Sequence, residues 1–122
     1  MSRMKIVGLI GGLILLGLPA NAQSLFNSIA VSGNGAWGYG KNYSSKASAG
    51  RRALQECFDQ GGVNCEIAVW SRDGCVALAQ SPNNGYGSGW GVNRGIAESY
   101  ALQVCRDNGN RSCRVKIAVC SY

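Results

Sequence analysis

Apolar positions along this chain follow two periods, and each period occurs twice. Ala49, Ala53 and Cys57 recur every four positions, and Ala97, Ala101, Val104 and Cys105 repeat the spacing. That is the mark of one buried helical face. Alternating runs follow, from Glu66 to Ser71 with Ile67 and Val69 on one side, and from Arg114 to Ser121 with Val115, Ile117 and Val119. Alternation of this kind predicts strands with one face buried. The first helix is predicted from a cap at Ser44 or Ser45 to about Phe58, stopped by Gly61-Gly62. The second runs from a cap at Asn93 to Asn108-Gly109. Alanines on the buried faces would let both helices lie close on a sheet.

Ser28 to Ser32 reads as a first strand. The segments Gly33 to Gly40 and Gly85 to Gly91 interleave glycine with aromatics, too much glycine for a helix and the aromatics of a strand or its turn. Arg72-Asp73-Gly74 predicts a hairpin turn into a strand from Cys75 to Ala79, which Ser81-Pro82-Asn83-Asn84-Gly85 then breaks. Ala53-Leu54-Gln55-Glu56-Cys57, with Cys65 beyond it, is answered 48 positions later by Ala101-Leu102-Gln103-Val104-Cys105 and Cys113. Two copies are too few for a solenoid. The expected fold is a small disulfide-stapled α+β domain of duplicated strand-helix-strand units, with an antiparallel sheet covered by two helices.

Cysteine usage and the N-terminus change the picture next. Met1 to Lys5 is basic, Ile6 to Leu18 is apolar apart from glycines, and Ala20-Asn21-Ala22 closes the stretch. This predicts a secretory signal peptide at 1–22 and a single mature domain at 23–122. An apolar run of 13 residues is short of the roughly 20 that span a bilayer. All six cysteines lie in the mature part, as in a disulfide framework. The repeat pairs Cys57 with Cys65 and Cys105 with Cys113, leaving Cys75 for Cys120, a bridge expected to join strands of the two halves. A zinc site wants cysteines close in pairs, or histidines. The chain has no histidine, so disulfides are the better reading and no metal is expected.

Charge and chemistry narrow the function by exclusion. Removing Arg3 and Lys5 leaves ten basic and six acidic residues, a net +4 spread along the chain, unlike the concentrated face of a nucleic-acid binder. Without histidine there is no Ser-His-Asp or Cys-His arrangement. Glu56 and Glu98 read as solvated helix charges, Asp73 as a turn residue, and Asp59 and Asp107 as exposed helix ends. Gly33-Asn34-Gly35-Ala36-Trp37-Gly38 matches a dinucleotide-loop string but does not lead straight into a helix. No catalytic residue and no cofactor follow. Trp37 and Trp90 are expected to fill equivalent core positions of the two halves. Tyr39, Tyr43 and Tyr86, with Arg94, are the candidate binding surface.

Trp37-Gly38-Tyr39-Gly40, Ala53-Leu54 with Cys57, Cys75-Val76-Ala77-Leu78-Ala79 and the second Ala101-Leu102 with Cys105, Cys113 and Cys120 resemble the bacterial family called domain of unknown function 4189. The resemblance covers Ile29 to Cys120. It implies small, exported, cysteine-bearing proteins with no established catalytic motif; family members include secreted mycobacterial proteins. The expectation is a non-enzymatic periplasmic binding protein, an immunity or inhibitor protein that occludes a toxin or cell-wall-active enzyme as its protein partner. The alternative is a small secreted effector or wall-associated protein. Neither nucleic acid nor a membrane span in the mature chain is expected.

Overall fold

Eight elements follow one another in the computed structural model, which describes residues 23–122. They are β1 (Phe26–Val31), β2 (Trp37–Tyr43), α1 (Lys46–Asp59), β3 (Glu66–Arg72), β4 (Cys75–Gln80), β5 (Tyr86–Gly91), α2 (Arg94–Asp107) and β6 (Arg114–Cys120). The expected signal peptide, 1–22, lies outside the described residues. Helix caps fall where the sequence puts them. Ser45 Oγ accepts from Ser48 N at 3.0 Å and Asn93 Oδ1 from Ile96 N at 2.9 Å, each satisfying an amide that the first helical turn leaves free.

The α+β class and the duplication hold. Strand-helix-strand recurs as β2-α1-β3 and β5-α2-β6, each preceded by one more strand. That extra strand sits in the middle, giving two antiparallel three-stranded sheets ordered β2-β1-β3 and β5-β4-β6. The expected sheet is thus divided in two. Ile29 and Val31 of β1 meet Val76 and Leu78 of β4 in a core between the sheets, with Val69 and Val119. The alternate residues point outward: Ala30 packs on Ala53 and Cys57 of α1, and Ala77 and Ala79 on Ala97, Ala101 and Cys105 of α2. Four layers result, helix, sheet, sheet, helix.

Glycine in β2 and β5 sets how closely the helices approach. A Cβ on Gly38 would stand 2.6 Å from Ala53 O, and one on Gly89 would stand 2.5 Å from Ala97 O. Gly38 and Gly40 of β2 and Gly87, Gly89 and Gly91 of β5 therefore face the helices, and the residues between them face the other way.

Three expectations need correcting. Arg72-Asp73-Gly74 is no hairpin, because β3 and β4 lie in different sheets. Asp73 (φ 56°) finishes the first sheet, its N–H donating to Leu25 O at 2.8 Å and its Oδ1 accepting from Leu25 N at 2.8 Å. Gly74 O already belongs to the second sheet, accepting from Ser121 N at 3.0 Å. Cys57–Cys65, Cys105–Cys113 and Cys75–Cys120 all form, but the last ties β4 to β6 within one sheet, with its residues directly opposite. Finally, the register of β3 shifts where Ile29 faces Val69 and Ala30 faces Ile67. This bulge puts Val69 in the inter-sheet core and turns Ile67 towards Gly50 of α1.

One link that does join the halves is Asn27, a fully buried side chain. Its Nδ2 lies within hydrogen-bond reach of Ser71 Oγ (3.2 Å), Gly74 O (3.1 Å) and Ser121 Oγ (2.8 Å), and its Oδ1 accepts from Asn42 N at 3.0 Å. Gln80 Nε2 donating to Gly35 O and Ser88 Oγ donating to Ala68 O, each at 3.1 Å, are others.

Candidate functional site

Stacking the sheets gives the domain two flanks. Edge strands β3 and β5 run beside one another on one flank, and β2 and β6 on the other. Because the units are copies, each flank is the other's internal control. The copies align at two offsets. Gly38 and Gly87, 49 apart, take the same place against the amides of Cys57 and Cys105, whereas those cysteines are 48 apart. The extra residue of the first unit is a bulge at Asn42 (φ 61°), where the β1–β2 register shifts between Phe26 and Ser28.

With the register corrected, the flanks differ sharply in chemistry. Trp90 (63% exposed), Val92, Ile96, Tyr100 (54%) and Val104 (38%) line a groove of about 510 Å³ between β5 and α2. Their counterparts on the first unit are Lys41 and Asn42 at the bulge, then Ser44, Ser48, Arg52 and Glu56. There the groove is closed by charge: Glu56 Oε1 accepts from Tyr39 N at 2.7 Å and Glu56 Oε2 pairs with Arg52 at 3.8 Å. The fold accepts polar residues at these places, so packing does not demand the apolar set of the second unit. Exposed apolar surface gathered in this way makes this groove the candidate site.

The apolar surface continues across the β3 edge. Trp70 and Trp90 share a pocket of about 470 Å³ with Ala68, Val69, Ser71 and Arg72. Lys46 Nζ stands 4.3 Å over the Trp70 ring, and Phe26 flanks the same ring with centroids 6.3 Å apart. A cation over an indole face is attracted by the ring's quadrupole.

The residues singled out by sequence are dispersed. Tyr39 is half-buried against the inter-sheet core and Tyr43 is half-buried beside the bulge, both on β2. Tyr86 opens β5 at the opposite flank, 36% exposed. Arg94 turns towards β6, its Nη1 donating to Ala118 O at 3.2 Å. Trp37 and Trp90 are not equivalent: Trp37 packs on the inter-sheet core and its counterpart is Tyr86. Val104, expected on the buried helix face, lies in the groove. Glu56 is no free helix charge but the cap of a strand amide. Among the described residues no group of three or more Cys, Asp or Glu is placed to hold a metal ion. Nor is any helix there long and apolar enough to cross a membrane.

A sequence model of the family described as "Domain of unknown function (DUF4189)" matches residues 26–120, from the first residue of β1 to the last of β6. The chain belongs to that family. Among curated proteins, this DUF4189 chain is 34% identical over 83 residues to Protein Rv1269c of Mycobacterium tuberculosis (strain ATCC 25618 / H37Rv) and to Protein Mb1300c of Mycobacterium bovis. Each match covers 68% of this chain and 63% of the relative, so the chain spans less than two thirds of the relatives' length. No solved structure matches.

Proposed function

We propose that this protein is an exported, non-catalytic binding protein of the periplasm. In this reading it occludes a protein partner, a secretion-system toxin or a cell-wall-active enzyme, as an immunity or inhibitor protein does. The observation that carries the reading is the apolar flank around Trp90, set against its charged counterpart on the first unit. Three disulfides suit an oxidising compartment outside the cytoplasm. They also keep the scaffold rigid, which lowers the ordering cost of association. The carboxylates favour binding over chemistry. Glu56 and Asp73 hold backbone amides, and neither the groove nor the tryptophan pocket is lined by an acid.

The test is co-expression with an exported toxin encoded beside the gene and directed to the periplasm. Trp90→Ala combined with Tyr100→Ala should weaken partner binding by thirtyfold or more, because aromatic anchors commonly cost about 2 kcal/mol each when truncated. Protection should fall with it. Glu66→Gln, Glu98→Gln and Asp107→Asn should each protect as well as the parent chain. A carboxylate variant that binds normally yet no longer protects would return catalysis to contention. Discovery of the chain in the culture medium, with no toxin gene nearby, would favour the secreted-effector reading instead.

A further inference from the structure

The groove beside β5 has a backbone feature that its charged counterpart lacks. In the first unit the outward amide of the edge strand, Tyr39 N, is capped by Glu56 at 2.7 Å. The matching amide in the second unit belongs to Ser88, and Val104 stands where Glu56 would be. Valine's side chain cannot accept a hydrogen bond, so the Ser88 amide is left without an acceptor beside an apolar trough. The open edge starts there, because Asn108 Nδ2 already donates to Tyr86 O at 3.2 Å and the Ser88 hydroxyl to Ala68 O of β3 at 3.1 Å. Unpaired strand edges are templates for a further strand, and groove-lining side chains then select what is added.

Charge decides between occupants. Arg72 lines the tryptophan pocket and Lys46 stands over Trp70, while the Arg52–Glu56 pair is the salt bridge found among the described residues. Neither trough nor pocket is lined by a carboxylate. A second copy of this chain would therefore bring cations towards cations. A segment carrying acids between its apolar residues would complement both features at once.

We propose that the β5 edge receives an extended acidic–apolar segment of a protein partner by strand addition, pairing with the Ser88 amide while its side chains enter the groove beside Trp90. This deepens the binder reading and rests on it.

The probe is a fluorescein-labelled nine-residue peptide alternating valine or phenylalanine with glutamate. Binding is read by anisotropy, and amide exchange at Ser88 by nuclear magnetic resonance. Saturable binding is expected, with Ser88 exchange slowed at least tenfold in the complex. Methylating alternate peptide nitrogens, or replacing glutamate by lysine, should weaken binding at least tenfold. Val104→Gln supplies an acceptor where Glu56 supplies one, without adding charge, and should weaken the peptide at least tenfold. Circular dichroism and intact disulfides would show that this variant is folded.

Ser88 exchange unchanged in the saturated complex, or equal binding of the methylated peptide, overturns strand addition. So does a free chain that sediments as a dimer with Ser88 already protected, since the occupant is then a second copy. The two readings fail separately. If Trp90→Ala with Tyr100→Ala abolishes protection but the peptide leaves Ser88 unprotected, strand addition falls and the binder reading stands. If those changes leave protection whole while the peptide protects Ser88, the binder reading falls and the strand-addition site stands.

Discussion

Gly89 and Gly33 carry the same residue type for opposite reasons. Around Gly33 nothing lies within 4 Å of an added Cβ, whereas on Gly89 the Cβ would meet Ala97 O at 2.5 Å and Tyr100 Cβ at 2.6 Å. The first of those atoms is helix backbone and cannot swing away, so α2 would have to lift from the sheet. Overpacking of this kind costs about 1–3 kcal/mol. Gly89→Ala should therefore lower the melting temperature by about 5 °C or more, and Gly33→Ala should change it little, a contrast that thermal denaturation reads directly. Asn27 poses the complementary case, a buried polar side chain shared among β1, β3, the Gly74 link and Ser121. Asn27→Ala should lose about 2–3 kcal/mol in denaturant unfolding, because it opens a void and strands the Asn42 amide.

At the scale of elements the disulfides give a ranking. Cys57–Cys65 and Cys105–Cys113 each close a separation of 8 residues, and Cys75–Cys120 one of 45. On loop entropy, each short bridge contributes about 2.6 kcal/mol and the long one about 4 kcal/mol. Replacing Cys75 and Cys120 together by alanine should thus destabilise more than the same change at either short bridge. An equal loss in all three would mean that β4–β6 pairing persists in the unfolded chain. The short bridges, the helices and their caps were legible because all are local: a four-residue period, a serine or asparagine, and a cysteine eight positions on. The division into two sheets was not. Asp73-Gly74 carries the residues of a tight hairpin, and only the competing partners, β1 for β3 and β6 for β4, show that the chain changes layer there. The site was hidden because the two glycine–aromatic segments match in composition but not in register. A single offset of 48 describes the helices, but the glycines of β2 and β5 lie 49 apart, as Gly38 with Gly87 and Gly40 with Gly89. Trp37 and Trp90 lie 53 apart, so neither offset pairs them; the glycine register of 49 sets Trp37 against Tyr86 and Trp90 against the exposed Lys41. The spacing of Ile96, Tyr100 and Val104, four apart and beside the buried Ala97, Ala101 and Cys105, marks a second helical stripe that the alanine period obscured.

For the molecule as a whole, duplication separates what folding requires from what has been added to it. Both units keep the glycine strand, the alanine helix face, the cap and the helix-to-strand bridge, yet their outer grooves differ at nearly every position. Those differences should then be transferable without loss of the fold. A chain carrying Ile96→Ser, Tyr100→Arg and Val104→Glu has the first unit's residues on the second unit's helix. The replaced side chains are 39%, 54% and 38% exposed, so little core area is lost. The new carboxylate gains the Ser88 amide and an arginine one turn away, as Glu56 has Tyr39 N and Arg52. Exposed pairs of this kind contribute only about 0.3–0.5 kcal/mol. The melting temperature should therefore stay within a few degrees of the parent's and all three disulfides should form. Partner binding should nevertheless collapse, because the grafted flank has neither an open strand edge nor an apolar trough. Collapse of the fold instead would show that the apolar stripe belongs to the core of the second unit, and the internal comparison on which the site rests would no longer hold.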